Sequence, residues 1–232
     1  MTASAKGTHT ARYRPGVQPS EPDGRLYSPV FLKNSPPMIA ALTRLIGDDT
    51  GAILEIGSGT GQHAAAFSLA LPHLDWIPSD PDPIHRQSVA AWTAALGAPA
   101  APPLDIDAGR DWANLPSVRA LGGLTAVLAM NVAHIAPLSV TAGLFAGAAR
   151  SLAPGGRLLL YGPFLRDGAY SGAGDRQFDE GLRSENPEWG LRDREELALM
   201  ASKLGVTLSI EFPMPSNNLL LVFKNRTSTN SA

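Results

Sequence analysis

The stretch Ile53-Leu-Glu-Ile-Gly-Ser-Gly-Thr-Gly61, running on through Gln62-His63 into an alanine-rich run, constrains this chain more than any other. Ile53, Leu54 and Ile56 suit a strand buried on both faces of a parallel sheet. Gly57, Gly59 and Gly61 take side chains away where the backbone turns sharply and a ligand can approach. The helix that follows points its free N–H groups and positive dipole end at such a ligand. Glu55 is the exception, a carboxylate within an apolar strand. Its burial is costly without a partner, and a cationic or N–H-rich ligand above the loop would supply one.

Spacing separates the two nucleotide folds that use such a loop. The dinucleotide fingerprint G-x-G-x-x-G needs a glycine at position 62, where this chain has Gln62. The acidic-x-G-x-G-x-G order resembles instead motif I of the class I S-adenosylmethionine (SAM) methyltransferases, whose loop wraps the methionine and ribose portions of the cofactor. The resemblance implies SAM as cofactor and a loop site of Glu55, Gly57, Ser58, Gly59, Gly61, Gln62 and His63. Glu55 would hold the methionyl end.

With 232 residues, 44% hydrophobic and 17% charged, the chain fits one domain with a sizeable core. A formal net charge of −2 argues against an extended nucleic-acid surface or an electrostatic membrane grip. The absence of cysteine removes disulfides, thiolate metal sites and a cysteine nucleophile. No apolar run approaches a membrane span and the first residues lack a signal-peptide core, so the cytoplasm is the expected compartment. Composition predicts a disordered tail over residues 1 to 25 and a single domain over 26 to 226.

Leu26 to Pro37 mixes aromatics with prolines, as a segment packed on a surface would, and Met38 to Ile46 has helical spacing. Tyr27 and Asn34 either line a substrate site or pack a capping segment. Beyond the loop, strands are expected over 53–56, 74–80, 98–104 (weak, with three prolines), 124–130, 157–162, 206–212 and 218–224. Helices alternate with them. The link Pro213-Met-Pro-Ser-Asn217 is too short for a parallel crossover, so the last two strands form an antiparallel hairpin. This is a Rossmann-like doubly wound α/β fold with a seven-stranded, mostly parallel sheet, the plan of class I SAM methyltransferases.

In such sheets ligands sit over the carboxyl ends of the strands, and an acid ending the second one binds ribose hydroxyls. Asp80 stands there, with helix capping as its other reading; Asp82 suits either contact. Asp105 ends the third strand, where SAM enzymes commonly hold the adenine amino group, and Ile106 is placed to pack on the ring; an exposed acidic turn is the other reading. The fourth strand delivers Asn131 and His134, the first to align a nucleophile by hydrogen bonding. His134 serves either as a general base or as a hydrogen-bonded structural residue. Nothing near it suggests a metal. Tyr161 and Phe164 end the fifth strand, and a polar insertion at about 165–187 with a short helix near Phe178 to Leu182 leads to Trp189 and Arg192. These four residues are candidates for the substrate wall, with anchoring of the insertion to the core as the other reading of Trp189 and Arg192.

Leu54-Glu-Ile-Gly-Ser-Gly-Thr-Gly61 with Gln62 to Ala66, Trp76-Ile-Pro-Ser-Asp80, Met130-Asn-Val-Ala-His-Ile135, Leu160-Tyr-Gly-Pro-Phe164, Asn186-Pro-Glu-Trp-Gly-Leu-Arg-Asp193 and Met214-Pro-Ser-Asn-Asn218 together carry a closer resemblance. Over residues 26 to 224 the chain resembles the domain of unknown function 938 family, also called the methyltransferase-like protein 26 family. That family tends to carry Glu-Arg-Asn-Lys near its N-terminal helix, whereas this chain reads Phe31-Leu-Lys-Asn-Ser35, leaving that acid without a counterpart. The resemblance implies the fold and a SAM site, and no established substrate. The expected function is SAM-dependent methyl transfer to a small molecule or protein. The rivals are a non-catalytic SAM- or nucleotide-binding module and an NAD-type oxidoreductase, the latter disfavoured by Gln62 and the terminal hairpin. The absence of Asn-Pro-Pro-Tyr after the fourth strand speaks against the usual nucleobase-amine methylases.

Overall fold

A computed structural model describes residues 20–226. Its sheet follows from the parity of the apolar residues. Along β1 (Gly51–Ile56) and β3 (Leu124–Met130), Ile53, Ala126, Leu128 and Met130 face one side, while Leu54, Ile56, Val127 and Ala129 face the other. Both faces are apolar, so helices cover both. α1 (Phe31–Ile46), α2 (Gln62–Ala70) and the Val89 side of α3 (Pro83–Leu96) pack on the first. α5 (Leu138–Ser151), α7 (Arg194–Lys203) and the short α4 (Pro116–Arg119) pack on the second.

β2 (Leu74–Ser79) and β3 flank β1 in parallel, β4 (Leu152–Leu165) is parallel to β3, and β7 (Asn218–Asn225) lies antiparallel between β4 and β6 (Val206–Pro213). The order β2-β1-β3-β4-β7-β6 reverses direction between β1 and β3. That reversal opens a crevice over their carboxyl ends, where ligands bind in doubly wound sheets.

Five features differ from the sequence reading. Residues 98–104 make no strand: Leu104 forms one bridge to Ser79, and the Ala101 and Leu104 N–H groups reach Trp76 and Pro78 carbonyls. Pro99, Pro102 and Pro103 have no N–H to extend the ladder. The seventh strand is instead β5 (Arg192–Asp193), paired with the end of β4. α1 begins at Phe31 rather than Met38 and runs through Pro36 and Pro37, giving up the bonds to the Leu32 and Lys33 carbonyls. Buried Met38, Leu42 and Ile46 hold it to the sheet regardless. The insertion's helix, α6 (Ala173–Glu185), is longer than its apolar residues indicate. Finally, Ser20 to Arg25, assigned to the tail, turn back through a bridge between Ser20 and Leu26. The rest of the expected tail lies outside the described residues.

Candidate functional site

The crevice is built first from the glycine loop. The Ser58 N–H donates to the Ser79 carbonyl (2.8 Å), the Ser79 N–H to Ser58 Oγ (3.1 Å), and Ser79 Oγ to the Glu55 carbonyl (2.7 Å). These bonds lash the end of β1 to that of β2. Gly57, Gly59 and Gly61 all have left-handed backbones, with φ of 73°, 55° and 84°. They serve different ends. A Cβ at Gly57 would sit 2.7 Å from Val132 Cγ2 and one at Gly61 2.4 Å from Val89 Cα, so both are required by packing. A Cβ at Gly59 would meet nothing within 4 Å. That empty space is the crevice itself.

Glu55 lies on the α1–α2 face, 2% exposed, and lines the crevice. Its Oε2 accepts from the Trp76 indole N–H at 2.8 Å, a partner inside the fold that sequence reasoning did not foresee. Burial pushes its pKa up to about 7; the Trp76 hydrogen bond opposes this and nearby Asp80 adds to it. Because the folded state holds this proton above the ordinary range, the associated stability is fully present below about pH 4.5. It is lost as pH rises to about 7. Glu55→Gln keeps the acceptor for Trp76 and removes the titration. Its unfolding free energy relative to wild type should therefore climb by about 3 kcal/mol between pH 4.5 and 8. Urea melts across that range test this, and a pH-independent difference would show that Glu55 is ionised in the folded protein.

Asp80 and Asp82 divide two roles that the sequence left shared. Asp82 is the N-cap of α3, accepting from the Ile84 N–H at 2.8 Å. Asp80, buried at the crevice, accepts from Gly59 N–H and Asp82 N–H, each at 2.9 Å. His85 Nδ1 lies 3.2 Å from Asp80 Oδ1. Burial of His85 works against its charged form, yet the hydrogen bond to Asp80 prevails and its pKa is raised. His85 lines the crevice as well, one turn into the helix that Asp82 caps. The Asp-Pro-Asp-Pro run drew attention to the cap and away from this histidine.

The N-terminal segment forms the roof. Leu26 is held by Ser88 Oγ (2.8 Å) and the Trp92 indole N–H (2.8 Å), and the Ser28 N–H donates to Gln62 Oε1 (2.6 Å). Ser28 and Val30 therefore line the crevice, while Gln62 is a strap anchor outside its lining. Tyr27 stacks edge-on against Trp92 and donates its hydroxyl to Glu21 (2.8 Å). Asn34 is buried within α1, and neither it nor Tyr27 lines the crevice.

At the end of β3, Asn131 has φ of 57° and donates its N–H to the Tyr161 carbonyl (2.8 Å). Asparagine tolerates this strained conformation better than most residues. Met130, Asn131, Val132 and Ile135 line the crevice, and His134 does not. His134 is buried behind Gly162, where a Cβ would lie 3.3 Å from its Nδ1, with Phe178 edge-on at 5.5 Å. Burial, aided by the Arg192 charge, lowers its pKa to about 4. Arg192 donates to the carbonyls of Ala133, Ala136 and Glu188, clamping the loop around His134. Trp189 packs with Leu182 and Leu191. Tyr161 and Phe164 are buried in opposite faces of the core; burial raises the Tyr161 pKa to about 12, against a weak approach by Asn218. Asp105 is an exposed partner of Arg86, and Ile106 is a core residue.

The glycine loop, Glu55, Ser58, His63, Asp80 and Asn131 thus converge on one crevice, with Gly61 and Gln62 supporting it. The six substrate candidates do not line it. Trp189 and Arg192 belong to a neighbouring module centred on Asp179, which sequence reasoning missed. Asp179 is 1% exposed and accepts from Tyr170 OH (2.8 Å), Arg183 Nε (2.9 Å) and the Leu191 N–H (2.6 Å). Asp179→Ala strands the buried Leu191 N–H and removes the bonds to Tyr170 and Arg183, and should cost about 1 to 3 kcal/mol. The loss should appear first as hydrogen exchange across residues 165–192; unchanged protection there would contradict the role. Among the described residues no group of three or more His, Asp or Glu gathers as a metal site, and no helix is long and apolar enough to cross a membrane.

A family model described as "Protein of unknown function (DUF938)" matches residues 25–225. Solved structures with the same fold include a mitomycin 7-O-methyltransferase (TM-score 0.71, 20% identity, 85% of this chain and 54% of that one). Another is an S-adenosylmethionine-dependent methyltransferase in its apo form (0.67, 19%, 85% and 55%). A third is an O-methyltransferase family 2 protein from Planctomyces limnophilus in complex with apigenin (0.62, 19%, 75% and 50%). At these identities the likeness is one of fold, and the chain spans about half the length of each.

Proposed function

Because the chain belongs to the DUF938 family and shares the fold of SAM-dependent methyltransferases, we propose that it is itself a SAM-dependent methyltransferase acting on a small-molecule or protein acceptor. The observation that carries this reading is the crevice above Gly59, where a left-handed glycine faces open space between two buried carboxylates, Glu55 and Asp80. The residues fit the cofactor. Glu55 offers a carboxylate to the amino group at the methionyl end, and ionises readily once a cation adjoins it. Asp80 keeps lone pairs free for ribose hydroxyls while Gly59 N–H and Asp82 N–H fix its orientation. With Asp105 and Ile106 outside the lining, the adenine end falls to Pro81 and His85.

When bound, SAM supplies a sulfonium-activated methyl group. The chain's part is alignment and exclusion of water. Asn131, strained at the end of β3, is the candidate to orient the acceptor, and the Ser28–Val30 strap closes the crevice from above. His134, neutral above about pH 4 and outside the lining, is a support for that loop. Neighbours named for mitomycin and crystallised with apigenin lend weight to a small-molecule acceptor.

A second reading, binding of SAM without transfer, is favoured by the same displacement of His134. Methyl-labelled SAM, incubated with the protein and separated small-molecule and protein fractions of a cell extract, distinguishes the two. Label transferred to either fraction supports the enzyme. Tight SAM binding with no transfer to any fraction supports the module.

A further inference from the structure

The crevice lining combines two chemically unlike sets of residues. Asp80 and His85 pair within it, and Glu55 adds a second buried carboxyl group. Its lining also brings the apolar side chains of Val30, Met130, Val132 and Ile135 together with the His63 ring and with Asn131. His63 is nine-tenths buried in the first turn of α2, between Phe31 (centroids 5.1 Å apart) and Phe67 (5.5 Å). Its Nε2 is buried and has no hydrogen-bond partner among the described residues. A buried polar atom left so is costly unless something arriving later satisfies it.

We propose that His63 is the acceptor-binding group of the crevice, and that it selects an uncharged, apolar-bodied acceptor carrying a hydroxyl or carbonyl. This rests on the methyltransferase reading and deepens it. His63 stands on the α1–α2 face beside the strap, remote in sequence and in partners from the Asp80–His85 pair assigned to the nucleoside. Nε2 can accept from a hydroxyl or donate to a carbonyl, according to tautomer. Burial lowers the ring's pKa to about 4, so at neutral pH it meets the acceptor uncharged. Among the described residues no Lys or Arg lines the crevice to hold a carboxylate or phosphate, and the Glu55 carboxyl group is engaged by Trp76. Val30, in the lining, is itself 41% exposed. An apolar ring system entering this lining meets the neutral His63 ring, with Asn131 also in the lining to orient the reacting group.

Three naphthalene probes of one shape test this: 2-naphthol, 2-naphthoate and 2-naphthylmethylammonium. Each is titrated into the full chain with and without saturating S-adenosylhomocysteine. The proposal expects naphthol to bind at least ten-fold more tightly than either charged probe. His63→Leu should abolish that preference, and His63→Gln, which restores a neutral hydrogen-bonding group, should recover most of it. Thermal melts confirm that both variants fold. Equal or tighter binding of a charged probe, no binding of naphthol, or an unchanged preference in His63→Leu each overturns the proposal. So does a loss of S-adenosylhomocysteine affinity in His63→Leu at intact naphthol binding, which would give the ring to the cofactor. Failure of wild type to bind S-adenosylhomocysteine at all sinks the methyltransferase reading, while the cofactor-free titrations still decide the role of His63.

Discussion

Gly61→Ala should be the most damaging single substitution in the glycine loop, costing about 3 to 5 kcal/mol. The new Cβ would stand 2.4 Å from the Val89 backbone, so α3 itself would have to move away from α2. An alanine at a φ of 84° adds about 1 to 2 kcal/mol of backbone strain to the overpacking cost. Against a typical domain stability of about 5 to 15 kcal/mol, this leaves little or none. Gly59→Ala, two residues away, makes a sharp contrast. Its φ of 55° costs an alanine about 1 kcal/mol, and no atom lies within 4 Å of the added methyl. This variant should fold, but its methyl would occupy the space assigned to the cofactor and lower SAM affinity by about ten-fold or more. Urea unfolding and calorimetry on the pair separate the two roles. Gly59→Ala protein that binds SAM normally would remove the loop's centre from the site.

Asp80→Ala should have the larger effect on ligand affinity. The carboxylate orients the Gly59 N–H and partners His85, besides offering lone pairs to the ribose. Charge-assisted hydrogen bonds contribute about 1.5 to 3 kcal/mol each, so losing those to the ribose should weaken SAM binding by roughly a hundred-fold. Asp80→Asn keeps an acceptor for Gly59 N–H and should fall between wild type and Asp80→Ala. The loss of Asp80 should also release His85 from the bond that raises its pKa, which proton NMR of the ring reads independently. A SAM affinity unchanged in Asp80→Ala protein whose His85 has shifted would place the ribose elsewhere.

The parts of this molecule legible in the sequence are those governed by local rules. A run of apolar residues followed by alternate glycines specifies the strand, the turn and the helix together, and all three glycines have the left-handed backbones that such a loop needs. The short Pro213–Asn217 link specifies antiparallel pairing, and β6 and β7 pair so. What was not legible depends on contacts between distant segments. Trp76 as the partner of Glu55 and Ser28 on Gln62 arise only when β1, β2, α2 and the N-terminal strap converge. His85 beside Asp80 is the exception, a local contact hidden behind the stronger cap signal of Asp82. Prolines misled in both directions. They suppress the ladder at 98–104, as their missing N–H groups require, yet α1 tolerates Pro36 and Pro37 because burial of Met38 and Leu42 outweighs two absent bonds. Trp189 and Arg192 drew attention as a polar-aromatic cluster. Their signal belongs to the Asp179 module that braces the loop after β3, and only the α6 packing reveals it.

The account turns on what the crevice between Glu55 and Asp80 holds. Calorimetric titration of the full chain with SAM, S-adenosylhomocysteine and NAD, run in parallel, addresses this most directly. Micromolar binding of both sulfur ligands, lost in Asp80→Ala and absent for NAD, is the predicted result. Folded protein that binds neither sulfur ligand, or that prefers NAD, would contradict it.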